Sequence, residues 1–119
     1  MPPTLQIRLL GNFSLTYGDE PVASVHSPRM QSVLAYLVLH CDRPQSRQHL
    51  AFLFWPDSTE AQARNNLRQT LHALRLALPG ADTFLVADTN TIRWRPDAPY
   101  TLDVAGFERA LALADAAEP

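Results

Sequence analysis

The sequence contains a single cysteine, no lysine and only four scattered glycines in 119 residues. Because Cys41 stands alone, neither an intramolecular disulfide nor a cysteine-rich metal site can form. The chain has no glycine-rich phosphate loop and no nucleophile with a nearby base, so we predict no enzyme, no cofactor and no metal site. It has no signal peptide pattern, and no apolar run approaches the ~20 residues of a membrane span, so we expect a cytoplasmic protein without a membrane partner.

Charge is distributed unevenly, although the formal net charge is only −2. Residues 28–78 hold six arginines against three acids, a balance of +3, whereas residues 80–119 hold three arginines against seven acids, a balance of −4. Local charge sets the field that a ligand meets, which makes residues 28–78 the part suited to an anionic partner. Arginine in place of lysine favours paired hydrogen bonds to phosphate or guanine, although a GC-rich genome would produce the same bias.

The stretch from residue 58 to residue 78 predicts one long amphipathic helix. Four leucines recur on one side at the spacing of a buried stripe: Leu67, Leu71, Leu74 and Leu78. The other side has no acid after Glu60, and its central positions are Asn65, Arg68, Gln69 and His72. Arginine, asparagine and glutamine can form paired hydrogen bonds to base edges in the major groove. We therefore interpret residues 58–78 as a DNA recognition helix, with an ordinary solvated helix face as the alternative.

The segments before this helix predict strands and then two shorter helices. Residues 4–10, 13–17 and 21–25 alternate as three strands of an antiparallel meander. Ser27 followed by proline caps a first helix, whose apolar stripe is Met30, Val33, Leu34, Leu37 and Val38. Ser46 caps a second helix, with its inward side chains expected to be Leu50, Leu53 and Phe54.

The segments after this helix predict a hairpin and one further helix. Residues 84–87 and 92–95 are short apolar runs joined by a four-residue loop, and Ile92 and Trp94 share the inner face of the second run. Helical spacing returns from Asp103 onwards. The predicted fold class is α+β. Three helices followed by a hairpin are typical of a winged helix-turn-helix, in which the third helix enters the major groove and hairpin 84–95 is the wing.

Five segments in this order resemble the amino-terminal DNA-binding domain of the SARP-type (antibiotic regulatory protein) transcriptional activators: LQIRLLGNFSLTYGDEPV, RMQSVLAYLVLH, SRQHLAFLFWPD, ARNNLRQTLHALRLAL and TIRWRPDAPYTLDVAGFERAL. The resemblance implies an OmpR-like winged helix over residues 1–99 and, over residues 100–119, the start of a bacterial transcriptional activation domain. The partners it implies are double-stranded DNA with direct repeats near a promoter, and RNA polymerase, which would face Asp57 and Glu60. It leaves open self-association through the rest of the activation domain.

Candidate DNA contacts follow from the helix face and from the other arginines. We predict base or groove contacts from Asn65, Arg68, Gln69 and His72, and phosphate contacts from Arg47, Arg64, Arg75, Arg93 and Arg95. Arg64 could instead cover apolar surface with its stem, and Arg75 could instead favour the carboxyl end of its helix through the dipole. The alternative function is a winged helix that regulates an attached or partner domain without binding DNA. The acidic last third of the chain keeps that alternative open.

Overall fold

The computed structural model describes residues 3–9 and 12–103, which belong to two compact units. Among the described residues, the strand unit combines those up to Ala23 with residues 99–103, and the helical unit is Ser24–Ala98. In chain order the elements are β1 (Leu5–Arg8), β2 (Ser14–Tyr17), β3 (Glu20–Pro21), α1 (Pro28–Leu39), β4 (Gln45–Ser46), α2 (Arg47–Phe54), α3 (Glu60–Ala77), α4 (Ala81–Phe84), β5 (Leu85–Ala87), β6 (Thr91–Trp94) and β7 (Tyr100–Leu102).

The strand unit is a four-stranded sheet in the order β3-β2-β1-β7. The antiparallel pairing of β1 with β2 and of β2 with β3 confirms the predicted meander. Leu5, Ile7 and Leu15 are buried, as the alternating pattern requires. The third strand covers only Glu20–Pro21. The Val22 N–H still donates to the Leu15 carbonyl at 2.9 Å, but from Ser24 the chain belongs to the helical unit, so the prediction that the strand runs to residue 25 is wrong.

Strand β7 was not predicted. It pairs in parallel with β1, and the carboxylate of Asp103 just beyond it accepts a hydrogen bond from the Leu9 N–H at 2.9 Å. Residues 100–102 therefore complete the amino-terminal sheet, although the predicted domain boundary lies after residue 99. The helix predicted from Asp103 onwards falls on residues 104–119, outside the described residues.

The three helices predicted for the helical unit are confirmed. The Ser27 hydroxyl accepts a hydrogen bond from the Met30 N–H at 3.1 Å to cap α1, and all five side chains of the predicted α1 stripe are buried. Helix α3 is two residues shorter at its start than predicted, because its cap is Thr59, whose hydroxyl accepts from the Gln62 N–H at 3.2 Å. The four leucines predicted for the inner side of α3 are all buried.

The inner side of α2 differs from the prediction. Leu50 and Ala51 are buried, whereas Leu53 is 43% exposed and Phe54 is half-buried. Residues three or four positions apart lie on the same side of a helix, so positions 47, 50, 51 and 54 of α2 share its inner side. Position 53 then points outward. The first residue on this inner side is Arg47.

A three-stranded sheet in the order β4-β6-β5 contains the predicted hairpin. Strands β5 and β6 are antiparallel, and Ile92 and Trp94 point inward with no solvent exposure, as predicted. Phe84 lies in α4, which was not predicted, and its ring stacks on Trp94 at a centroid distance of 5.2 Å. Strand β4, also not predicted, pairs Ser46 with Thr91 and so joins the start of α2 to the hairpin.

Candidate nucleic-acid interface

Helix α3 separates an apolar side from a polar side along its length. Ala63 and three leucines are buried on the apolar side, while Arg68, Gln69 and His72 are exposed and Asn65 is half-buried. An Arg68 Nη2–H donates to Asn65 Oδ1 at 2.8 Å. This bond occupies one of the five N–H groups of the guanidinium, so Arg68 keeps enough donors for two further parallel hydrogen bonds.

A groove of about 500 Å³ lies beside this part of α3, and we call it the arginine groove. Three segments of the helical unit line it: Ser46, Arg47 and Gln48 at the start of α2; Arg64, Leu67 and Arg68 on α3; and Thr89 and Asn90 in the hairpin loop. Three guanidinium groups from two helices thus meet in one concave surface, and none of the described residues that line it is acidic. A surface of this composition is suited to phosphate oxygens.

Arg47 lies where the arginine groove meets the body of the helical unit. Its Nε atom is buried and has no hydrogen-bond partner among residues 3–9 and 12–103. A buried charged donor without a partner costs free energy that an anionic ligand would recover. The sequence predicted a phosphate contact from Arg47, and free backbone N–H groups at a helix start could add to such a contact. Two of those groups are already used: the Arg47 N–H donates to the Asn90 carbonyl at 2.9 Å, and the His49 N–H donates to the Ser46 hydroxyl at 3.2 Å. The side chain of Arg47 is therefore the stronger candidate.

The hairpin loop is closed by the side chain of Asp88. Its Oδ1 accepts hydrogen bonds from the Asn90 N–H at 2.8 Å and the Thr91 N–H at 2.7 Å, and its Oδ2 accepts from the Thr91 hydroxyl at 3.2 Å. The backbone hydrogen bonds from Thr91 and Asn90 hold the pKa of the Asp88 carboxyl below its ordinary value, and the positive charge of Arg47 adds to this effect. The Asp88 carboxylate thus stabilises the conformation of the hairpin loop.

A dependence of stability on pH follows from this lowered pKa. The folded state favours the Asp88 carboxylate, so its stabilising contribution is complete above the unfolded pKa of about 3.9 and is lost as the pH falls through the lower folded pKa. We expect Asp88→Asn to lower the melting temperature near pH 7, and the difference from the wild-type chain to shrink below about pH 4. Thermal unfolding followed by circular dichroism at both pH values tests this. A difference that is equally large at both would contradict the assigned cause.

The other arginines predicted to bind phosphate are placed differently. Arg64 is exposed on the groove wall and pairs with Glu60 at 3.5 Å, one helical turn away. Arg75 lies outside the groove, where its Nη1 pairs with Asp82 at 2.9 Å. Arg93 donates from Nε to the Cys41 carbonyl at 3.2 Å and lies on the outer face of the hairpin with the exposed Arg95. The structure therefore brings together Arg47, Arg64 and Arg68, and it does not bring Arg75, Arg93 or Arg95 to them.

Sequence reasoning missed the contributions of Gln48, Thr89 and Asn90 to the arginine groove. Thr89 and Asn90 are in the predicted hairpin loop, and Gln48 follows Arg47 in the first turn of α2. A signal was present, since a wing loop and the first turn of the second helix are both typical places for contacts to the sugar–phosphate backbone. What the pattern could not indicate is that these segments form one surface.

The segment between α2 and α3 places its charged residues in solvent. Asp57 and Glu60 are both exposed, while Trp55 is half-buried and lies under the guanidinium of Arg29, whose carbon is 5.0 Å from the ring centroid. Arg29 Nη1 also donates to the Phe54 carbonyl at 2.7 Å. Trp55 is therefore the ring partner of an arginine that also bonds the carboxyl end of α2.

No helix within residues 3–9 and 12–103 is long and apolar enough to cross a membrane. No group of three or more histidine, cysteine, aspartate or glutamate side chains in those ranges is arranged to hold a metal ion.

No protein family and no curated protein matches the chain. Among solved structures, the chain is similar to Mycobacterium tuberculosis EmbR, a SARP-family regulator whose structure was determined in complex with a low-affinity phosphopeptide. The TM-score is 0.64 and the sequence identity is 29%, and the similar region covers 82% of this chain and 27% of the EmbR chain. The fold is SARP-like.

This similarity confirms the fold prediction at the level of a small α+β domain like the DNA-binding domain of EmbR. It also relates the chain to transcription regulation and DNA binding at the level of the family. A transcription regulator is generally not an enzyme, which favours the prediction of no catalytic activity. Because the chain spans 27% of the length of EmbR, the activities and partners of a whole regulator are proposals for this chain.

Proposed function

We propose that the helical unit is a winged helix that binds double-stranded DNA, with α3 in the major groove and the β5–β6 hairpin as the wing. The observation that carries this proposal is the arginine groove, where guanidinium groups from α2 and α3 converge beside the acid-free face of α3. Phosphate contacts supply most of the affinity for DNA, and base contacts from a helix supply the specificity. The surface offers arginines for phosphate contacts and the polar side chains of α3 for base contacts.

The proposal assigns the groups of this surface to two kinds of contact. Arg47 and Arg64 bind phosphate on either side of the groove, because they extend from two different helices. Arg68 is the main base contact, with Asn65, Gln69 and His72 beside it along the same helix face. Arg75 is a weaker candidate, because binding phosphate would require it to leave Asp82.

We further propose that the chain belongs to a transcription activator of the SARP type. Its likeness to EmbR and the order of its elements support this. In such a protein residues 1–99 would be the DNA-binding domain and residues 100–119 the start of the activation domain, with direct repeats near a promoter as the DNA site. The exposed Asp57 and Glu60 would face RNA polymerase.

Selection of bound duplexes from a random pool tests DNA binding and identifies the site. We expect one enriched motif, and an affinity for it that falls steeply with salt, by a slope of about 0.9 for each phosphate contact. Arg47→Ala should reduce this slope by about 0.9 and weaken binding to enriched and random duplexes alike. Arg43→Ala removes the same charge from an exposed residue outside the groove and is the matched control. Equal slopes for the two variants would contradict the role of Arg47.

A second function, binding to a protein, is favoured by the outer side of α2. Phe52 is 69% exposed there, beside a depression of about 200 Å³ whose apolar lining includes Ala51, Trp55 and Pro56. An exposed aromatic beside an apolar depression is a common feature of protein-binding surfaces. A protein-binding module without DNA binding would enrich no duplex in the selection, which separates the two functions.

A further inference from the structure

Asp88 is an acidic residue at the edge of a surface that we propose to bind DNA. If charge alone decided its effect, the carboxylate would repel phosphate, and removing it would strengthen binding. Its hydrogen bonds indicate a different effect. Within residues 3–9 and 12–103, the carboxylate accepts three hydrogen bonds, all from Asn90 and Thr91, the residues that end the hairpin loop and begin β6.

The loop that Asp88 closes is bonded directly to the start of α2. The Asn90 carbonyl accepts the Arg47 N–H at 2.9 Å, and Thr91 pairs with Ser46 in the β4–β6 ladder. The position of the Asn90 carbonyl depends on the conformation of the loop, and Asp88 holds the N–H group of the same residue at 2.8 Å. Asp88 therefore acts on the backbone of Arg47 through a single intervening residue.

We propose that Asp88 is a positioning residue for DNA binding, because it fixes the hairpin loop and, through the Asn90 carbonyl, the first turn of α2 from which Arg47 enters the arginine groove. This inference rests on the proposed function. A preformed position for the guanidinium removes an ordering cost that a loose loop would add to binding. The wing would then contribute to affinity by holding Arg47 in place, without inserting a cation of its own into the minor groove.

Binding of the selected duplex by three variants tests this proposal. We expect Asp88→Ala to bind roughly tenfold more weakly than the wild-type chain, the loss expected for one charge-assisted hydrogen bond. Asp88→Asn keeps an oxygen that can accept from the Asn90 and Thr91 N–H groups, so its loss should be smaller. Asp97→Ala removes the same charge from an exposed residue nearby and should bind as well as or better than the wild-type chain. Binding by Asp88→Ala at or above the wild-type level would overturn the proposal.

Two further measurements distinguish positioning from a merely structural role. The Arg47 amide should exchange its hydrogen faster in Asp88→Ala than in Asp97→Ala, because the bond to Asn90 opens more often. In a double-mutant cycle, Asp88→Ala should have little effect on affinity once Arg47→Ala is present, since the two act on one contact. Unchanged amide exchange, or full additivity in the cycle, would overturn the proposal.

The outcomes separate this inference from the proposed function. Failure of the wild-type chain to enrich any duplex would overturn both. A wild-type chain that binds its motif, together with an Asp88→Ala variant that binds equally well, would overturn the inference alone. If Asp88→Ala does not fold, Asp88→Asn carries the exchange measurement, and Arg47 amide exchange equal to that of Asp97→Ala would overturn the inference.

Discussion

Arg68→Ala is expected to weaken binding to the selected duplex by about 1–3 kcal/mol and to relax the preference at one base pair. Arg68 is exposed at the centre of the polar side of α3 and borders the arginine groove. A guanidinium there could form two parallel hydrogen bonds to a guanine, and alanine can form none. The measurement is a titration of the variant against the enriched duplex and against duplexes with a single base pair changed.

Two control variants sharpen this result. Arg68→Lys keeps the charge but loses the planar fork, so it should retain binding to random duplexes and lose discrimination between them. Arg43→Ala should leave the base preference unchanged, because Arg43 lies outside the groove beside Asp42. The assignment of Arg68 as a base contact fails if Arg68→Ala has the wild-type affinity and the same sequence preference.

Trp94→Ala should destabilise the chain by about 3–5 kcal/mol, a large part of the 5–15 kcal/mol that stabilises a typical domain. Trp94 has no solvent exposure and stacks on Phe84 with their planes 22° apart. Removing the indole leaves a cavity beneath β6, the strand that pairs with both β4 and β5. Urea unfolding followed by circular dichroism measures the loss, since the substitution also removes a fluorescent reporter.

The matched control for Trp94→Ala lies on the neighbouring strand. Val86 is 41% exposed on β5, so Val86→Thr should change the free energy of unfolding by no more than about 0.5 kcal/mol. A loss for Trp94→Ala no larger than that of the control would mean that Trp94 is not a core residue. If Trp94→Ala is unfolded without urea, Trp94→Phe should still fold with a smaller loss of stability, because it keeps an aromatic ring beside Phe84.

Patterns within a short stretch predicted much of the fold. The leucine stripe of α3 and the Ser27 and Ser46 caps were correct because helix periodicity and capping depend on residues three or four positions apart. The inward orientation of Trp94 followed in the same way from alternation along one strand. In each case the residues that form the sequence pattern are the same few residues that form the structural feature.

Features that depend on distant partners could not be predicted in this way. Strand β4 exists only because two residues pair with β6, and β7 only because it pairs with β1 at the other end of the sequence. The same limit applies to the arginines. Nothing near Arg93 in the sequence indicates that its guanidinium contacts the Cys41 carbonyl, or that Arg47 and Arg68 share a groove. Helix periodicity could therefore place the polar residues along one side of α3, but it could not identify the other segments that line the arginine groove.

The hydrogen bond between Arg47 and Asn90 also bears on when the groove forms during folding. It joins the start of the second helix to the tip of a hairpin that is synthesised much later. Contacts between residues far apart in sequence carry a larger loop-closure cost and tend to form after local helices. During translation, the helices could therefore assemble before the arginine groove is complete, and the affinity for DNA that we propose would appear only once the last strand of the hairpin has left the ribosome.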